Sequence, residues 1–217
     1  MQKSNATKMF RYKKIFCYLK ENFEFHTILS YGCSDGSECL TLQYYFPNSK
    51  IFGTDIIIKS NYSKDNIIYF RVNNFPDVKF DLITINAVLC NFGEKGDSGW
   101  GWDLNTVTIA SFKDFDLYLS LVDKYLNING IILLTNSNYL FKDASISHKY
   151  EPIEFNSNIN DYDIRQSDRT KFLVHNYVPI YDKNNKRIFP TTKPNEVDTP
   201  ISAFENYPKY YLFKKLK

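Results

Sequence analysis

Two glycines four residues apart, Gly32 and Gly36, enclose Cys33, Ser34 and Asp35 directly after the apolar run Thr27-Ile28-Leu29-Ser30-Tyr31. A strand that breaks into such a loop and then into a helix can hold a polar or anionic ligand. Gly32 permits the sharp turn, and Gly36 lets a ligand approach the backbone where the helix starts. An acid, Asp55, closes the next apolar run, Lys50-Ile51-Phe52-Gly53-Thr54-Asp55. A carboxylate at that strand end can accept hydrogen bonds from both hydroxyls of an adenosine ribose. The same five loop residues also fit the pattern G-x-S-x-G of a nucleophile elbow, with Ser34 as nucleophile. Asp143 or Asp163 with His148 or His175 would then supply the serine–acid–histidine order. Against this, only about 30 residues precede the loop and no glycine run offers an oxyanion hole, whereas an α/β-hydrolase elbow follows several strands.

These residues need elements to position them. Tyr12, Ile15, Phe16, Leu19 and Phe23 recur at helical spacing over residues 8–23, and Leu40, Leu42 and Tyr45 do so before Pro47. Residues 112–127 carry Phe112, Phe115, Leu119, Val122 and Leu126 at the same period. Between the helical patterns lie short apolar runs at residues 27–31, 50–55, 67–72, 80–85 and 131–135. Strands alternating with helices predict a Rossmann-like α/β sandwich of three layers around a mostly parallel sheet. Asn129-Gly130 reads as a turn from the third helix into the fifth strand. Residues 172–181 and 209–214 read as strands, and the simplest placement is an antiparallel C-terminal pair closing one sheet edge. We expect one domain over residues 1–217: an N-terminal helical segment (1–25), a cofactor-binding core (26–140), and substrate-side segments with the terminal strands (141–217).

A formal net charge of +3 is too small to argue for a nucleic-acid partner. No run of 18 apolar residues predicts a membrane span, and the first twenty residues lack the apolar core and small-residue cleavage site of a signal peptide. Cys17, Cys33, Cys39 and Cys90 form neither a CxxC pair nor a regular framework. We therefore expect no disulfide scaffold, no metal site and a reducing, cytoplasmic location. His26, before the first strand, reads as structural.

The segments ILSYGCSDGSE, KIFGTDI, FDLITINAVL and LNINGIILLTNSNY, within residues 25–140, resemble class I methyltransferases dependent on S-adenosylmethionine (SAM). GCSDGSE also looks like the loop of chemotaxis-type protein-carboxylate methyltransferases, although this chain lacks room for their separate helical domain. The last segment looks like small bacterial methyltransferases of surface-polysaccharide loci. The resemblance implies an enzyme that binds SAM and releases S-adenosylhomocysteine. It implies Gly32, Ser34 and Gly36 along the methionine part, Asp55 on the ribose, Ile56 against adenine, Asn74 near the adenine amino group, and Asn86 and Ala87 near the sulfonium. Ser30 stands where the family often has an acid, and Ser34 where it has a middle glycine. The methionine ammonium then needs another partner, and Asp35 and Glu38 are the candidates. The implied acceptor is a small molecule or a sugar-linked hydroxyl or phosphate, as in capsule polysaccharide O-methylation. A SAM- or nucleotide-binding module without catalysis is a further alternative.

In this fold the acceptor pocket lies beyond the C-terminal ends of the strands. That directs attention to residues 90–103 and 136–151: Trp100 and Trp102 as a lid or an anchored loop, and Asn136, Asn138 and Tyr139 as polar contacts. His148 is the first candidate for a general base, with His175 second or lining the substrate. An imidazole with an ordinary pKa near ~6.5 can take a hydroxyl proton at neutral pH.

Overall fold

The computed structural model describes residues 9–86, 88–89, 111–135, 137–154, 180–189 and 212–217. Helix α1 (Lys13–Asn22) buries Ile15, Phe16 and Leu19, three and four residues apart, as one apolar stripe. Strand β1 (Thr27–Tyr31) leads through the glycine loop into α2 (Ser37–Tyr45), which stops before Pro47. There follow β2 (Lys50–Asp55), β3 (Tyr62–Lys64), β4 (Ile67–Arg71) and β5 (Phe80–Asn86). Helix α3 (Phe112–Tyr125) starts at a capping serine, since Ser111 Oγ accepts the Asp114 N–H at 3.1 Å. Then come β6 (Leu126–Thr135), two short 3-10 turns (Phe141–Asp143 and Ser147–Lys149), β7 (Tyr150–Ile153), β8 (Ile180–Tyr181), β9 (Arg187–Phe189) and β10 (Leu212–Lys215).

Among the described residues, eight strands form one sheet in the order β3-β4-β2-β1-β5-β6-β10-β7. The five strands from β4 to β6 run parallel. Neighbouring residues along them face opposite layers, and both layers are apolar. Ile28, Ile51, Leu82 and Leu133 pack with Leu19 of α1 and Leu42 of α2. Leu29, Phe52, Ile83 and Ile132 pack with Phe115, Leu119 and Val122 of α3. Burial on both faces explains why these strands read as continuous apolar runs rather than as an alternation. The fold is the expected Rossmann-like, three-layer α/β sandwich, its mostly parallel sheet closed by an antiparallel strand pair, β10 and β7.

Three local expectations are corrected. First, β6 begins at Leu126, so Asn129 is not a turn between helix and strand. Its φ of +65° kinks the strand, and the ladder to β5 is irregular between Phe80 and Leu82. Second, β10 pairs antiparallel with β6 on one side and with β7 on the other, so β7, not the segment ending at Tyr181, is its outer partner. Residues 172–179 lie outside the described residues, and β8 pairs with β9 in a separate hairpin. Third, β3 was not expected. It folds back on β4 through Asp65 and Asn66, whose φ values of +53° and +63° suit a tight hairpin turn.

Candidate functional site

The strand order reverses at β1, with β2 on one side and β5 on the other. Such a switch point opens a crevice at the C-terminal ends of the strands, and the glycine loop lies there. Gly32 and Gly36 have φ of +81° and +89°. A side chain on Gly32 would also collide with Val88, just after β5, and one on Gly36 would meet the Tyr69 hydroxyl at 2.5 Å. Both positions therefore require glycine on conformational and steric grounds. Ser34 is held at φ +52°, a left-handed conformation that costs a non-glycine residue roughly 1 kcal/mol or more. The N–H groups of Gly32 and Cys33 both donate to Thr54 O, at 2.7 and 3.0 Å, which fastens the turn to β2.

Asp55 is half-buried at the end of β2. Its Oδ2 accepts the Ser34 N–H at 2.9 Å, and its Oδ1 accepts the Ile57 N–H at 3.1 Å. The acid thus organises the loop through both of its oxygens. A carboxylate has about four acceptor sites, so roughly two remain. Ile56, next along, leaves 53% of its surface exposed. Asn74 is exposed in the turn after β4, and its N–H donates to Arg71 O at 2.8 Å.

A second carboxylate lies across the crevice. Glu38, in the first turn of α2, accepts from Ser30 Oγ at 2.8 Å and Thr84 Oγ1 at 2.5 Å on one oxygen, and from Asn86 Nδ2 at 2.8 Å on the other. Asn86 Oδ1 in turn accepts from Thr135 Oγ1 at 2.9 Å. This network links α2 to the upper ends of β1, β5 and β6. Burial holds the Glu38 carboxyl above its usual pKa range, although the three hydrogen bonds pull it down. Asp35 is exposed and accepts the Ser37 N–H at 2.9 Å, so it caps the start of α2. Of the two acids named for an ammonium contact, Glu38 is the one built into the crevice.

Among the described residues, two buried polar atoms lack a hydrogen-bond partner: the Tyr31 hydroxyl and Ser34 Oγ. Tyr31 ends β1, and its ring stacks on Phe75 at 6.2 Å. Burial raises its pKa, with Tyr118 and Asp55 adding to the effect, so the phenol stays a neutral donor. An orphaned buried hydroxyl costs on the order of 1–3 kcal/mol.

The other expected site residues divide between the two ends of the sheet. Asn138 is buried and bonds through its backbone to Leu89 O at 3.2 Å and to Tyr181 N at 2.8 Å. Tyr139 donates to Asn185 Oδ1 at 2.6 Å. Together they fasten the β8–β9 hairpin to the exit of β6. After Leu140 the chain turns away from the crevice and descends along α3, where the Ser145 N–H donates to Asp116 Oδ1 at 2.7 Å. His148 therefore comes just before Tyr150, at the N-terminal end of the parallel strands, with Nδ1 2.8 Å from Ser145 O. His26 precedes β1 at that same end. The structure does not bring His148 to the glycine loop, nor Asp143 and His148 to Ser34, so these residues form no serine triad. Ala87, Trp100, Trp102, Asn136, Asp163 and His175 lie outside the described residues, as does Cys90.

Sequence reasoning missed Thr84, Thr135 and Tyr31. Single hydroxyls inside apolar strands were the available signal: Thr84 and Thr135 interrupt β5 and β6 near their upper ends. Asp81, by contrast, lies at the lower end of β5. It accepts from His26 N, Thr27 N and Asn127 Nδ2, and so ties strand starts together.

No family model matches the chain, and no curated protein matches it. Solved structures resemble it in part. PKMT2 from Rickettsia typhi is 19% identical over 58% of this chain and 26% of its own, with a TM-score of 0.39. CalS10, an amino pentose methyltransferase from Micromonospora echinaspora solved with SAM, is 11% identical over 69% of this chain and 59% of its own, with a TM-score of 0.42. Coclaurine N-methyltransferase, solved with N-methylheliamine and S-adenosylhomocysteine, is 10% identical over 55% and 33%, with a TM-score of 0.36. The chain spans less than two thirds of the length of each.

Proposed function

We propose that the chain is a class I SAM-dependent methyltransferase. The observation that carries this reading is the convergence, at one strand-end crevice, of the Gly32–Gly36 turn, the Asp55 carboxylate and the Glu38 network. The residues fit the cofactor. Asp55 keeps acceptor capacity for a ribose diol, and Ile56 offers an exposed apolar side chain to adenine. Glu38 presents a carboxylate to the methionine ammonium, and the orphaned hydroxyls of Ser34 and Tyr31 gain partners. Asn74 is assigned to the adenine amino group and Asn86, with Ala87, to the sulfonium neighbourhood. Asn86 suits that role because Glu38 and Thr135 hold its amide from both sides.

When bound, SAM supplies a methyl carbon already activated by its sulfonium. The protein's task is then to align an acceptor with it and exclude water. A hydroxyl acceptor needs a group to take its proton, whereas a phosphoryl or carboxylate oxygen does not. His26 and His148 stand at the far end of the sheet, so a histidine base would have to be His175. We propose an O-methyltransferase acting on a small molecule or a carbohydrate-linked hydroxyl or phosphate in surface-polysaccharide synthesis, which extends the sequence resemblance.

The test is calorimetry of the purified, ligand-stripped protein with SAM and S-adenosylhomocysteine, followed by transfer of labelled methyl to carbohydrate, phosphorylated and protein acceptors. Saturable binding of both ligands is expected. No heat and no thermal shift with either would overturn the assignment.

A further inference from the structure

The opposite end of the strands carries a separate concavity. Lys79, Asp81, Leu126, Asn127, Ile128, His148, Lys149, Lys215 and Lys217 line an open groove of about 810 Å³. It lies at the N-terminal ends of β5 and β6. The seven-residue β5 puts it roughly 20 Å from the glycine loop, at about 3.3 Å per residue.

The groove has an excess of positive charge. Four lysines line it, against the carboxylates of Asp81 in its wall and Asp123 behind it. Both acids are already engaged. Asp81 takes donors from His26, Thr27 and Asn127, and Asp123 takes Lys149 Nζ at 2.7 Å, Lys215 Nζ at 2.9 Å and the Tyr150 hydroxyl at 2.8 Å. The lysines differ in what they have left. Lys215 Nζ also donates to Asp123 O and Leu126 O, so it contributes charge but no spare proton. Lys149 donates one proton to Asp123, and Lys79 donates one to the Lys124 carbonyl. Each keeps two for a ligand.

His148 adds an acceptor. Its Nδ1 faces the Ser145 carbonyl, which can only accept, so the neutral ring carries its proton on Nδ1. Nε2 is then left as an acceptor. Ile128, 64% exposed, gives the groove an apolar wall.

Spare ammonium protons, one imidazole acceptor and an apolar side define a ligand with an anionic end, a hydroxyl and a weakly polar face. We propose that this groove binds a phosphorylated, hydroxylated small molecule such as a sugar phosphate. Lys79, Lys149 and Lys217 hold the phosphate, His148 Nε2 accepts from a hydroxyl, and Ile128 covers the ring. The site stands on its own residues and does not depend on the methyltransferase reading.

The test is calorimetry of the full chain with glucose 6-phosphate, inorganic phosphate, glucose, and sodium chloride at matched ionic strength. Lys79→Gln and His148→Gln are measured beside the wild type, and thermal unfolding verifies that each is folded. Glucose 6-phosphate is expected to bind saturably and more tightly than inorganic phosphate, and Lys79→Gln to weaken it at least tenfold. His148→Gln should weaken the sugar phosphate while leaving inorganic phosphate nearly unchanged. Unchanged affinity in both variants, equal affinity for the two phosphates, or a signal reproduced by chloride overturns the proposal.

Discussion

Replacing Asp55 by alanine should weaken both the loop and the ligand, and the two effects can be measured apart. In the ligand-free protein the substitution removes an acceptor from the N–H groups of Ser34 and Ile57, at 2.9 and 3.1 Å. Hydrogen bonds to a charged group contribute about 1.5–3 kcal/mol each when well buried, and Asp55 is only half-buried, so about 1 kcal/mol apiece is the better figure. A total near ~2 kcal/mol is small beside a typical domain stability of about 5–15 kcal/mol, so the variant should fold. Its Tm should fall by roughly 4–8 °C for a chain of this length. With ligand, the lost bonds to the ribose diol should cost a further ~1.5–3 kcal/mol, or about 10- to 150-fold in Kd. Asp55→Asn keeps one acceptor oxygen and should fall between wild type and alanine in both respects. The assays are thermal unfolding without ligand and calorimetry with S-adenosylhomocysteine. A folded alanine variant whose Kd stays within about twofold of wild type would place the ribose elsewhere. An unchanged Tm would refute the organising role of the carboxylate.

Glu38→Gln should lower cofactor affinity about tenfold or more, by removing the countercharge to an ammonium, without lowering stability at neutral pH. Burial raises the Glu38 pKa in the folded state, so the stability linked to its protonation is full below the unfolded pKa and lost as pH rises through the folded value. The glutamine variant should therefore gain on wild type between acid and neutral pH in urea unfolding. Asp123→Ala should cost about 3 kcal/mol, because it leaves the nearly buried Lys215 without its carboxylate. For Asp123 burial pushes the pKa up, but the bonds from Lys149, Lys215 and Tyr150 outweigh it and the net shift is downward. Its stabilisation is accordingly present above the unfolded value and lost as pH falls through the folded one, so the gap between wild type and variant should close below about pH 4.

The crevice was legible in the sequence because local rules govern it. Gly32 and Gly36 mark backbone that only glycine takes comfortably, and Asp55 is an acid ending an apolar run. The strands were legible because burial on both faces makes them mostly apolar, with single hydroxyls such as Thr84 as the exceptions. His148 was misplaced for a different reason. Its position depends on where the chain goes after β6, and that path is set by long-range contacts. Ser145 bonds to Asp116 of α3, and Lys149 and Tyr150 converge on Asp123. No periodicity within residues 136–151 encodes that descent. β7 was missed likewise, since Tyr-Glu-Pro-Ile becomes a strand by pairing with β10, more than fifty residues later.

The two ends of the sheet treat carboxylates in opposite ways, and the contrast separates support from chemistry. At the lower end, Asp81 and Asp123 are each surrounded by donors, and for each the hydrogen bonds together outweigh burial and favour the charged form. Such groups stabilise the fold: Asp81 joins the starts of β1, β5 and β6, and Asp123 ties α3 to β7 and β10. At the upper end, Glu38 also has three donors, yet burial dominates and its charge is disfavoured. Nearby, Tyr31 and Ser34 bury hydroxyls with no partner among the described residues, and Ser34 sits in a strained conformation. Each of these features costs folding free energy, and all of them gather at the same strand ends. Costs concentrated in one place are characteristic of a site shaped for something other than stability. A cation at Glu38 and hydrogen-bonding groups at Tyr31 and Ser34 would offset them together, as the proposed cofactor would.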